Sequence, residues 1–66
     1  ILAGPLVELA PSFAAAIAPG GNLLLAGLLE TQETRVRRAY RAQGFRLARR
    51  LVRGDWSILC LRNMRG

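Results

Sequence analysis

An α/β fold, in the order helix–strand–helix–strand–strand, is predicted by three observations. An apolar residue recurs every three or four positions between residues 5 and 18. A short run, "LLLAGLL" at residues 23 to 29, is apolar on both faces. Two alternating segments, "FRLARRLV" and "WSILCLR", flank the turn signal "RGD". Periods of 3.6 and 2 mark helices and strands respectively.

The first helix is expected over residues 5 to 18. Pro5 suits a first helical position, where its missing N–H costs nothing. Leu6, Leu9, Ala10, Phe13 and Ile17 form one apolar stripe. Pro11 removes a helical hydrogen bond and crowds the carbonyl of Val7, so either a kink or a helix start near Pro11 is expected. "APGGN" ends the helix, since proline cannot continue it and glycine accepts the left-handed conformation. The run at residues 23 to 29 is bounded by turn signals and reads as a buried central strand with parallel neighbours.

The second helix is expected over residues 31 to 43, with Thr31 as N-cap. Glu33 lies in the first turn, where a negative charge suits the helix dipole. It stands four residues before Arg37, the favourable order for an ion pair. Val36, Ala39, Tyr40 and Gln43 make the buried side, and Gly44 stops the helix. In the next segment Phe45, Leu47 and Leu51 are expected on one face and Arg46, Ala48 and Arg50 on the other. A three-residue loop, Arg53-Gly54-Asp55, then closes a β-hairpin. This Arg-Gly-Asp is read as a turn, not as an adhesion motif.

The composition narrows the function classes. The chain has 66 residues, too few for a large core. One cysteine permits no internal disulfide, and without histidine no Cys/His zinc site is expected. Cys60 falls inside an apolar strand and is expected to be a buried, inert thiol. The net charge of +6 comes from ten basic residues, all of them arginine. Arg35, Arg37, Arg38 and Arg41 are read as a solvated helix face, and aromatic stacking platforms are scarce, so nucleic acid is not the expected partner. Phe13, Tyr40, Phe45 and Trp56 are all expected to face the core. Neither a signal peptide nor a membrane span is visible, and a cytoplasmic protein is expected.

Topology raises a further expectation. Parallel strands are normally linked by helical crossovers, so the first helix implies a strand upstream of Ile1. Residues 1–66 then form the later part of a larger α/β sheet, with "ILAG" at the carboxyl end of a strand, where ligands bind in such sheets.

"ILAGPLVELAP", the "PGG" before an apolar strand, "AYRAQGFRL" and "RGDW" together resemble the ribosomal protein L-eleven methyltransferase family, which belongs to the class I S-adenosylmethionine-dependent methyltransferases. The resemblance runs to about Leu61. It implies a Rossmann-like sheet in which residues 23 to 29 are the fifth strand and the hairpin supplies the sixth and seventh, the seventh lying antiparallel beside the fifth. It implies a parent enzyme that transfers a methyl group from S-adenosylmethionine to an amino group of a ribosomal protein.

The same resemblance implies that the cofactor-binding half and the substrate-recognition domain lie upstream, since neither the Gly-rich turn nor the ribose-binding acid occurs in this sequence. No catalytic or cofactor-binding residue is carried over. Ile1, Leu2, Ala3, Pro5 and Gly27 are expected to line the active-site rim, and the 66 residues alone are expected to be inactive. The alternative is a stand-alone basic α/β module that binds RNA through its arginines.

Overall fold

A computed structural model describes residues 3–65. The chain forms helix α1 (Ala3–Ala16), strand β1 (Asn22–Leu29), a 3-10 turn (Glu30–Gln32), helix α2 (Glu33–Ala42), and strands β2 (Phe45–Arg53) and β3 (Trp56–Asn63). The three strands make one antiparallel sheet in the order β1-β3-β2. The expected order of elements is therefore present, with the 3-10 turn added.

Helix α1 starts earlier than expected and runs through Pro11 without a fresh start there. The lost hydrogen bond is offset by packing on both sides of the proline. Leu6 and Ala10 are buried before it, and Phe13, Ala14 and Ile17 pack on the core after it. Leu9 leaves the expected stripe and is 44% exposed; Val7 and Ala14 take the flanks instead. The helix end is tied to the sheet by Asn63. Its amide Nδ2 donates to the Ile17 carbonyl at 2.7 Å, and its backbone bonds to Gly20 and Gly21.

Strand β1 pairs antiparallel with β3, as the resemblance implied for the fifth and seventh strands, so its neighbour on that side is not parallel. Among the described residues it is an edge strand, paired antiparallel with β3 alone. An irregularity between Leu25 and Leu28 sets Ala26 and Gly27 opposite Ile58. Gly27 has φ +77°, a conformation that side chains resist, so this bulge requires glycine.

Helix α2 begins two residues later than expected. Thr31 is not its N-cap; that position belongs to Gln32, whose side chain accepts a hydrogen bond from the Leu29 N–H at 3.2 Å. Val36 and Tyr40 are fully buried, and Ala39 packs beside them. The Tyr40 hydroxyl donates to the Leu6 carbonyl at 2.9 Å, joining the two helices. Its ring meets Phe45 edge-on at 5.8 Å between centroids. Burial raises the Tyr40 pKa above its ordinary value, since the neutral phenol is the form that tolerates a dry site.

The hairpin turn is two residues, not three, because Arg53 already pairs with Trp56. Gly54, φ +57°, takes the first turn position, where a II′ turn calls for glycine. A second irregularity, between Leu47 and Arg49, displaces Ala48 and reverses the phase of β2 beyond it. Phe45, Leu47, Arg50 and Val52 consequently share the side of buried Ser57, Leu59 and Leu61. Leu51 falls on the opposite side, 46% exposed, which reverses the expected placement of Leu51 and Arg50.

The core therefore lies between the helices and one face of the sheet. It holds Leu6, Ala10, Leu25, Leu28, Val36, Tyr40, Phe45, Leu59 and Leu61. The other face carries no helix. Leu24 is 66% exposed there and Trp56 53%, so Trp56 does not face the core as expected. Cys60 lies on the same open face, a partly exposed free thiol and not a buried one.

Candidate functional site

The carboxyl end of β1 gathers most of the polar chemistry. The 3-10 turn leaves β1 at Glu30, and the Glu30 N–H donates to the Asp55 carbonyl of the hairpin turn at 2.8 Å. Leu29, Glu30, Thr31 and Asp55 line an open recess of about 460 Å³ at this end. Helix α1 ends beside the start of β1, and near its other end the Leu6 carbonyl meets the Tyr40 hydroxyl of α2. Pro5 is exposed, as is Gly27 within the β1 bulge. Ala3 is the first residue of α1. Ile1 and Leu2, also expected on the rim, lie outside the described residues.

Beside this recess sits the best-built polar cluster of the chain. Glu33 is only 5% exposed, yet its carboxylate is fully engaged. Arg50 grips both oxygens, Nε on Oε1 and Nη2 on Oε2 at 2.9 Å, the two-pronged geometry that suits a guanidinium. The Ser57 hydroxyl donates to Oε2 at 2.9 Å. Arg50 Nη2 also reaches Glu30 Oε1 at 3.5 Å. The hydrogen bond from Arg50 holds the Glu33 pKa below its ordinary value, Ser57 and the Arg50 and Arg37 charges add to this, and burial opposes it. Conversely, the Glu33 bond raises Arg50. The expected Glu33–Arg37 ion pair is replaced by Glu33–Arg50. The cluster clamps α2, β2 and β3 together behind the recess, and the buried carboxylate spends three acceptor sites on it.

Sequence reasoning missed this clamp. Its signal is a phase break: the two-for-one step at Ala48 turns Arg50 inward, and alternation cannot show such a step. A third feature is the outer groove between α2 and β2. Thr34, Arg37, Arg38 and Arg41 line it from the helix, Arg46 from the strand, and Phe45, Leu47 and Leu61 form its floor.

The residues present do not make a dinucleotide-like cofactor site. No glycine-rich turn links a strand to a helix N-terminus, and Glu33, the buried acid, is occupied by Arg50 and Ser57. Among the described residues no cluster of metal-ligating side chains occurs, and no helix is long and apolar enough to cross a membrane.

An edge-exposed antiparallel sheet backed by two helices defines a piece of α/β architecture. Residues 1–64 match the family described as ribosomal protein L11 methyltransferase (PrmA), and the chain belongs to that family. Three proteins called ribosomal protein L11 methyltransferase show the extent of the likeness. That of Caulobacter sp. (strain K31) is 46% identical over 61 residues, 92% of this chain and 21% of the relative. That of Chromohalobacter salexigens is 54% identical over 56 residues, 85% of this chain and 19% of the relative. That of Brucella suis (strain ATCC 23445 / NCTC 10510) is 44% identical over 62 residues, 94% of this chain and 22% of the relative. The chain thus spans about a fifth of the length of the curated relatives it matches.

Proposed function

We propose that these residues are the C-terminal portion of an S-adenosylmethionine-dependent N-methyltransferase that acts on an amino group of ribosomal protein L11 in the cytoplasm. The observation that carries this reading is the family match over nearly the whole chain, against about a fifth of each relative. The open side of the sheet supports it. Among the described residues β1 has an unpaired edge, and the face that carries Leu24, Trp56 and Cys60 lacks a cover. A parallel strand beside β1, and helices over that face, would complete a Rossmann-like sheet in which β1, β2 and β3 are the fifth, sixth and seventh strands.

In that enzyme the cofactor supplies an activated methyl group, and its binding residues belong to the upstream half of the domain. This chain supplies the wall beyond β1. Ile1, Leu2, Ala3, Pro5 and Gly27 form the rim of the acceptor site, and the Glu33–Arg50–Ser57 clamp holds the turn and hairpin beneath that wall. Because the wall positions groups and does not ionise, its contribution is to orientation of the acceptor amine.

Calorimetric titration with S-adenosylmethionine tests the division of labour. The isolated 66 residues should give no binding heat, and the complete protein should bind. Micromolar binding by the isolated chain would refute the placement of the cofactor site upstream.

A further inference from the structure

We propose that the outer groove between α2 and β2 is a contact surface for the phosphodiester backbone of nucleic acid, independent of the methyl-transfer site. Thr34, Arg37, Arg38 and Arg41 recur at helical spacing, so one side of α2 presents three guanidiniums in a line, and Arg46 of the edge strand β2 extends it. No carboxylate lines the groove. Among the described residues the only arginine with a salt bridge is Arg50, within the clamp and outside the groove lining. Like charges at i, i+3 and i, i+4 oppose helix formation, and of the three guanidiniums only Arg37 feels a carboxylate, the buried Glu33 already held by Arg50. An external anion would relieve them.

The groove's form selects the kind of anion. Phe45 and Leu61 in its floor are 1% and 2% exposed, so the groove offers an apolar side chain little surface to grip, and its walls are mainly guanidiniums. No exposed aromatic ring offers a base a stacking partner there. What remains is a row of planar forks, Arg37 and Arg41 separated by about 6 Å of helical rise, each able to hold one phosphate by two hydrogen bonds. A polyphosphate chain needs only that row, and recognition of this kind is independent of base sequence. The sequence alone assigned these arginines to a solvated face. The structure adds Arg46, the shared groove and a lining without a carboxylate.

The test is anisotropy titration of the complete protein with short labelled single strands of RNA and of DNA, from 50 to 200 mM salt. The variant Arg37→Gln/Arg38→Gln/Arg41→Gln is compared with Arg35→Gln/Arg49→Gln/Arg53→Gln, which removes equal charge outside the groove, and circular dichroism checks that both are folded. The groove variant should lose about tenfold in affinity, and its slope of log K against log salt should fall by about 2, near 0.7 per lost phosphate contact. The control variant should change the slope by less than half as much. RNA and DNA should bind within about threefold of each other, because phosphate contacts ignore the sugar. Equal effects of the two variants, tenfold preference for one polymer, equally tight binding of polyglutamate, or no binding at 50 mM salt would each overturn the proposal. S-adenosylmethionine binding, measured separately, should be the same in all variants, so failure here leaves the methyltransferase reading where it stands.

Discussion

The two faces of the sheet are built from the same strands and have opposite fates. On one, Leu25, Leu28, Leu59 and Leu61 lie under α1 and α2 and are almost wholly removed from water. On the other, Leu24, Leu29, Leu51 and Trp56 stand in solvent among Arg49 and Arg62. Apolar side chains of this size, grouped on one face, are the mark of a surface meant to be covered. The covered face explains why the chain holds its shape. The open face carries apolar side chains that no described residue covers.

The largest expected effect is on the covered face. Tyr40→Ala should cost about 3–5 kcal/mol in urea unfolding, as a buried aromatic ring is lost from between Phe13 and Phe45. Tyr40→Phe keeps the ring and removes only the hydrogen bond to Leu6, and should cost about 1 kcal/mol. Glu33→Gln comes next, at about 1–3 kcal/mol, toward the lower end because the partly exposed Arg50 can rehydrate.

Glu33 also sets a pH dependence. Its folded pKa lies below the free-glutamate value of 4.5, so its stabilisation is complete above that value and is lost as pH falls through the lowered pKa. Acid unfolding of the wild type should therefore contain a component that Glu33→Gln lacks. If the two profiles are parallel, the clamp does not contribute as described.

Gly27→Ala should cost about 1–2 kcal/mol, since φ +77° strains any side chain at the β1 bulge. The smallest effect belongs to the open face. Leu24→Ser in the isolated chain should change stability by no more than about 0.5 kcal/mol, as surface substitutions do. In the complete protein the same substitution should cost several times more. Equal costs in the two contexts would erase the distinction between the faces.

The order of elements and the buried side of α2 were legible, because Val36, Ala39 and Tyr40 follow helical spacing and Gly44 marks its end. The strands were legible as segments but not as faces. β1 and β2 each contain a two-for-one step, at Ala26–Gly27 and at Ala48, and one such step exchanges inside for outside along the rest of the strand. That is why Leu51 and Arg50 change places and why the true partner of Glu33 was hidden. Trp56 was misplaced for another reason: a large aromatic residue suggests burial, but among the described residues nothing covers it. The rim residues were legible only through resemblance, for Ile1, Leu2, Ala3, Pro5 and Gly27 bear no chemistry of their own. The groove was half legible, its helical arginines from spacing and Arg46 only from the fold.

The central claim is that the open face is completed by the rest of the methyltransferase domain. Trp56 is the only tryptophan of the chain and stands on that face. With 5-fluorotryptophan incorporated at this position alone, its fluorine resonance can be followed as the separately produced upstream part is added. The account predicts a shifted resonance, loss of its solvent isotope effect and the simultaneous appearance of S-adenosylmethionine binding. A Trp56 that remains solvent-exposed in the reassembled, cofactor-binding protein would contradict it.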